Sequence, residues 1–236
     1  MKKLVIICIS VLLTIKGYTQ TSEVLKDGYH VFRYPQTNTT SSEGLIKNGK
    51  PEGYWKSYYV TGIKKSEGRY TSFKLDSIWL FYDQVGDTTD KISYLFGKKN
   101  GYYYKYKKDQ YVGTYIWSKE LYAGDKKEGT AFIYFPDGKI QQTISYNSGK
   151  KEGLSKEFDK EGNVIVMLEY NNDFLVSREK INRSDNNRLK QGEWKEFYPN
   201  GKVKTEKTYK DDLLHGYYKE YDTKGNLILT MLYENG

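Results

Sequence analysis

Apolar and polar residues alternate in short runs over residues 28–236, and no stretch keeps an apolar spacing of three and four for the turns an amphipathic helix needs. Runs such as Asn163-Val164-Ile165-Val166-Met167-Leu168 and Asn226-Leu227-Ile228-Leu229-Thr230-Met231 are β-prone, and turn-forming residues flank them. The pattern recurs. Gly192-Glu193-Trp194-Lys195-Glu196-Phe197 is followed 24 residues later by Gly216-Tyr217-Tyr218-Lys219-Glu220-Tyr221, and Gly53-Tyr54-Trp55-Lys56-Ser57-Tyr58 heads another copy. Such a period predicts a stack of like units, each supporting the next, with function on a long repeated surface.

With the opening glycine as position zero, units begin near 28, 53, 77, 101, 129, 153, 192 and 216, and Ser77 replaces glycine in the third. Position two is often a large ring: Trp55, Trp79, Tyr103, Trp194 and Tyr218. Position five carries Tyr58, Tyr82, Tyr106, Tyr134, Phe158, Phe197 and Tyr221, and position seventeen carries Tyr70, Tyr94, Tyr146, Tyr170, Tyr209 and Tyr233. A turn glycine stands at position nine. In Asp137-Gly138 and Asn200-Gly201 both residues tolerate positive φ, which predicts tight hairpins. Each unit therefore reads as strand, turn, strand, turn.

A lone hairpin is marginal in water, so the units are expected to join edge to edge. The predicted fold is all-β: an elongated, single-layer antiparallel sheet of about eight stacked hairpins, sixteen strands spanning roughly 70 Å at ~4.8 Å each. Positions two and five differ by an odd number, so their rings are expected on opposite faces. Ring contacts worth about 0.5–1.5 kcal/mol each stand in for an aliphatic core, in keeping with 25 tyrosines.

The period breaks in two places. The seventh unit begins 39 residues after the sixth, which places an insertion within 171–191, and Arg178, Lys180 and Arg183 there are candidate partner-binding residues. The fourth unit is longer than the rest, and Tyr111, Tyr115 and Trp117 form a candidate aromatic patch. The last strand, with its apolar Leu227-Ile228-Leu229, is a candidate edge for self-association.

Residues 1–20 have the order of a secretory signal peptide: Lys2 and Lys3, an apolar run from Leu4 to Ile15, then a polar stretch to Gln20. Residues 21–236 are then an exported repeat domain, periplasmic, outer-envelope or secreted. The only cysteine, Cys8, falls in the leader, so the mature chain is expected to lack thiol chemistry. Removing Lys2, Lys3 and Lys16 lowers the formal charge from +8 to +5, too little to announce a nucleic-acid partner.

Candidate chemistry is sparse. The two histidines lie apart: His30 in a repeat-tryptophan position, where a packed ring is expected, and His215 at a turn, where an exposed polar residue is expected. Acids are spread one per repeat. No catalytic residue, metal ligand or cofactor site is assigned, and the chain is read as non-enzymatic. The turn lysines Lys50, Lys74, Lys98, Lys99, Lys126, Lys127, Lys150 and Lys151 would line one edge as a basic stripe. Solvated turns and lysines guarding sheet edges explain the same residues without a ligand.

Gly192-Glu193-Trp194-Lys195-Glu196-Phe197-Tyr198-Pro199-Asn200-Gly201-Lys202-Val203-Lys204 resembles the MORN repeat in its shorter bacterial variant. Chains built wholly of this variant are similar to the family labelled YwqK-type antitoxins. The resemblance implies edge-joined hairpins and a binding or scaffolding role, with proteins or acidic lipid headgroups as partners and no active site. The expected function is an exported interaction scaffold for another protein, in the narrower form neutralising a toxin or effector. The alternatives are binding of a membrane surface or anionic glycan through the lysine stripe and a glycan-active enzyme.

Overall fold

The computed structural model describes residues 25–236, so the expected signal peptide and Cys8 lie outside the described residues. The strands are β1 (Gly28–Arg33), β2 (Thr40–Lys47), β3 (Lys50–Tyr58), β4 (Lys64–Thr71), β5 (Lys74–Tyr82), β6 (Thr88–Leu95), β7 (Lys98–Asp109), β8 (Gly113–Ala123), β9 (Lys126–Tyr134) and β10 (Ile140–Asn147). They continue as β11 (Lys150–Lys151), β12 (Gly153–Phe158), β13 (Val164–Asn171), β14 (Phe174–Lys180), β15 (Arg183–Ser184), β16 (Lys190–Phe197), β17 (Val203–Lys210), β18 (Leu213–Tyr221) and β19 (Leu227–Tyr233). The first fourteen form one sheet in chain order, with β11 and β12 both pairing β10, and β15 to β19 form a second, five-stranded sheet. All neighbours are antiparallel, as the repeat predicts. The single expected ladder of sixteen strands is thus nineteen strands in two sheets, and the break falls at the insertion.

Two kinds of turn alternate. At the hairpin ends Asp83 N–H donates to the Asp87 carbonyl (2.9 Å) and Gly86 N–H to the Asp83 carbonyl (3.2 Å), while Asp83 Oδ1 accepts from Val85 and Asp87. In these turns only the glycine is left-handed, with Gly138 and Gly201 both at φ 84°, whereas the β1–β2 end carries Gln36 at φ 63°. Asp137 and Asn200 do not take the positive φ expected of them: Asp137 Oδ1 accepts the Lys139 N–H (3.0 Å) and Asn200 Oδ1 the Lys202 N–H (3.1 Å). That local bond favours a three-residue loop with a glycine bulge over a two-residue turn. The turns with two left-handed residues instead join the units, as at Asn48-Gly49 (φ 51° and 70°) and Asn172-Asp173 (φ 50° and 71°).

The opening glycine is a bulge residue rather than a turn residue. In β3 the pairing runs Gly44 with Trp55 and then Leu45 with Glu52, so Gly53 and Tyr54 are extra residues, and Gly53 sits at φ 69°. The bulge turns the Leu45 and Glu52 carbonyls toward Trp55, whose Nε1 donates to both (3.0 and 3.1 Å). Trp79 Nε1 likewise donates to the Arg69 carbonyl (3.0 Å).

The core is one row of residues crossing the strands. Gly44 pairs with Trp55, Trp55 with Gly68, Trp79 with Ile92, Ile92 with Tyr103, Tyr103 with Glu120, Ala131 with Ile144, and Ser155 with Leu168. Trp55, Trp79, Ile92, Ala131, Ser155 and Leu168 are all buried. Volumes alternate along it: a Cβ on Gly44 would fall inside the Trp55 indole and one on Gly68 inside that of Trp79, whereas Ser155 faces Leu168. Tyr70 sets its edge against both indoles, with ring centroids 6.2 and 5.1 Å away, and Phe32 and Phe81 stack beside them.

Rings at position five lie on the other face, as expected. Tyr58 donates to Glu43 (2.6 Å) and Tyr82 to Glu67 (2.5 Å), and Glu43 is the strand partner of Lys56, the neighbour of Trp55. This acid fifteen residues upstream of the ring was not read from the sequence. Tyr221 and Glu206 repeat the bond at 3.0 Å in the second sheet.

Candidate functional site

The row-bearing side of the sheet is termed face A and the side carrying Tyr58 and Tyr82 face B. On face B the residue one after the opening position stands clear of the sheet: Tyr29 is 64% exposed, Tyr54 55%, Ile78 51% and Tyr102 44%. They recur on every second strand, about 10 Å apart, and make a linear apolar and phenolic row. Sequence reasoning named positions two, five and seventeen and missed this one. Regularity at position one across four successive units was the signal that could have found it. In β3, β5 and β7 the two extra residues around the opening position keep position one opposite position two while the ladder resumes, and on β1 Tyr29 pairs with Leu45 without a bulge.

The turn lysines divide into two sets. Lys50, Lys98, Lys126 and Lys150 are exposed at the turns, together with Lys74. Their neighbours fold back over face A. Lys99 Nζ lies 4.6 Å from the Tyr103 centroid, Lys127 lies 4.8 Å from that of Tyr146 and Lys151 lies 4.8 Å from that of Tyr170. Lys127 also pairs with Glu120 at 3.1 Å. Burial, with Lys105 nearby, lowers the Lys99 pKa. The acids of this edge serve the fold: Glu52 accepts the Ser72 N–H (3.0 Å), Glu128 that of Ser148 (2.8 Å) and Glu152 that of Asn172 (2.8 Å). Each clasps one left-handed turn to the unit beside it.

The fourth unit is long because its turn glycine, Gly113 (φ 77°), comes late, and Asp109 Oδ1 accepts the Tyr111 and Val112 N–H groups. The three aromatics grouped there by sequence differ in place: Tyr111 is exposed at the tip, while Tyr115 and Trp117 are half-buried. Trp117 lines an open groove of about 950 Å³ with Phe135, Phe158, Gln142 and Glu157, and Lys107 Nζ sits 3.7 Å from its centroid.

The insertion is built structure rather than a loose loop. Ile181 is fully buried and its N–H donates to the Ile165 carbonyl (3.1 Å). Asn182, left-handed at φ 53°, donates through Nδ2 to the carbonyls of Val164 (2.9 Å) and Lys195 (3.0 Å), and its Oδ1 accepts the Lys195 N–H (2.6 Å). Asp185 to Leu189 repeat the hairpin-end turn, with Arg188 (φ 67°) where Gly86, Gly138 and Gly201 stand elsewhere. Arg178, Lys180 and Arg183 are exposed. Beside them Lys195 contacts Glu179 (2.7 Å), Glu193 (3.4 Å) and Glu206 (3.8 Å); burial opposes its charge, but these acids hold its pKa above the usual lysine value.

His30 stacks on Phe32 and its Nε2 donates to the Lys26 carbonyl (2.7 Å), the packed ring expected of it. His215 is not the exposed residue expected: it is half-buried, with Nδ1 lacking a partner. Among the described residues no cluster of three His, Cys, Asp or Glu side chains is placed to hold a metal ion.

No curated protein matches the chain. The MORN repeat variant matches at four places, each a strand pair with the bulge and turn geometry described above. The four matched segments are residues 127–148, 151–172, 190–211 and 214–235.

Proposed function

We propose that the chain is an exported, non-enzymatic scaffold that binds another protein across face B of the long sheet, with Tyr29, Tyr54, Ile78 and Tyr102 as evenly spaced anchors. The observation that carries this reading is the exposure of that row beside a face A whose rings are spent on packing. Rings that bury an apolar body and keep a hydroxyl wet suit repeated contact with a protein surface. The charges flanking the row, Lys56, Glu43 and Glu67, give it a polar rim. In the narrower form implied by the resemblance, the partner is an exported toxin or effector that the scaffold neutralises.

Affinity capture with residues 21–236 and with the Tyr29→Ser/Tyr54→Ser/Tyr102→Ser variant tests the reading. A saturable partner lost only from the variant supports it; an unchanged partner set sinks it. A second reading, an anionic lipid or glycan surface met by the turn edge, draws on the exposure of Lys50, Lys74, Lys98, Lys126 and Lys150. Sedimentation with anionic vesicles over a salt series separates the two, since edge binding falls steeply with salt.

A further inference from the structure

β14 is a repeat's first strand without its second. Elsewhere in the long sheet a first strand such as β5 pairs on one side with the preceding β4 and on the other with its own hairpin partner β6. β14 pairs with β13 through Asn171–Phe174, Leu168–Arg178 and Val166–Lys180, and the chain then leaves through Ile181 and Asn182 into the other sheet. Its outer edge closes the fourteen-stranded sheet with unpaired backbone groups.

Sheet edges are ordinarily guarded by charge, and lysine opens β3, β5, β7, β9 and β11. β14 opens instead with Phe174, Leu175 and Val176, which are 78%, 51% and 63% exposed. Among the first strands from β3 to β14 in the long sheet, β14 is thus both the one with an open edge and the one that opens without lysine, whereas β18, which opens on Leu213, is paired on both sides. Past this apolar run, Arg178 and Lys180 share a face two residues apart, opposite the aliphatic Leu168 and Val166 rather than opposite acids.

We propose that β14 receives an extended segment of a partner protein as an added antiparallel strand, supplying the second strand the half repeat lacks. The backbone edge provides the ladder bonds. Phe174 to Val176 call for apolar side chains opposite them, and Arg178 with Lys180 for carboxylates at alternate positions. The site is separate from the face B row and stands or falls without it.

The probe is an acetylated heptapeptide, Glu-Val-Glu-Val-Val-Val-Val, which in antiparallel register sets its glutamates opposite Lys180 and Arg178 and valines opposite Phe174 to Val176; a counterpart carries lysine for glutamate, and both are titrated by fluorescence anisotropy against residues 21–236. The glutamate peptide binds at least ten-fold tighter at low salt, and hydrogen exchange slows at the amides of 174–180. Arg178→Glu/Lys180→Glu reverses the preference, whereas Arg183→Glu leaves it unchanged, each with an unaltered guanidinium midpoint. The Tyr29→Ser/Tyr54→Ser/Tyr102→Ser variant binds the peptide as before. Equal affinity for the two peptides, or binding without protection of 174–180, overturns the proposal. So does protection that rises with protein concentration in the absence of peptide, which would mean that a second copy covers the edge.

Discussion

Asn182 and Lys195 pair as two strand residues would, except that one partner is a side chain: Asn182 Oδ1 accepts the Lys195 N–H at 2.6 Å and Nδ2 donates to the Lys195 carbonyl at 3.0 Å. The same amide reaches the Val164 carbonyl of the first sheet at 2.9 Å. One planar amide thus joins the two sheets where the backbone ladder stops.

Asn182→Ala removes these bonds and leaves a non-glycine residue at positive φ, so it is expected to cost about 2–3 kcal/mol. Asn182→Gly keeps the φ and loses the bonds, and is expected to fall between. Guanidinium denaturation followed by tryptophan fluorescence checks the order, with Trp194 reporting the second sheet and Trp55, Trp79 and Trp117 the first. Equal stability of all three proteins would refute the joint.

The alternation of volumes along the buried row predicts coupled substitutions. Gly68→Ala places a methyl group inside the Trp79 indole and is expected to cost about 3 kcal/mol. Trp79→Ser opens a cavity at a similar cost. The double variant is expected to lose at least about 1.5 kcal/mol less than the two singles added together, as residues sharing one space do. A thermal-melt double-mutant cycle measures this; simple additivity would show that the two positions do not share the space.

Ser77 holds the left-handed bulge position, φ 58°, that glycine occupies in the other units. Ser77→Gly relieves the crowding of Cβ against the backbone and is expected to raise stability by about 1 kcal/mol. A higher melting temperature is the expected readout, and a lower one would mean that the hydroxyl contributes more than the strain costs.

Stability is expected to fall on both sides of neutrality. The Tyr58 hydroxyl bond holds the Glu43 pKa below its ordinary 4.5, and the Lys207 bond does the same for Glu196. A depressed folded-state value means that the contribution is present above pH 4.5 and lost as pH drops through the lower folded value. Burial, followed by the Glu43 bond, raises Tyr58 above 10.0, so its contribution is complete below that pH and lost as pH rises beyond it. Tyr58→Phe is expected to flatten both limbs of the denaturation midpoint against pH, and a profile identical to the parent would remove these pairs from the account.

Much of the molecule was legible in the chain because period and ring identity answer to local geometry. Positions two and five fall on opposite faces as counted, and the position-nine glycines are left-handed. The seats of the indoles were also written there, since Gly44 and Gly68 each stand eleven residues before a tryptophan, as Ile144 stands eleven before Ser155. That offset gains meaning only once the bulge fixes which residues face each other. The candidate surfaces were less legible. The lysine doublets look alike in sequence, yet one member of each of three pairs packs on a tyrosine ring because strand alternation points it inward.

The sequence by itself determined an all-β chain of stacked hairpins, since a 24-residue period of strand and turn residues admits little else. Tertiary structure alone decided where the stack ends. Ile181 is buried and Asn182 turns left-handed, so the strand that began as a repeat leaves the first sheet and enters the second. Whether an extra segment hangs out as a loop or splices two sheets depends on bonds to residues far along the chain, and those follow from packing rather than from period.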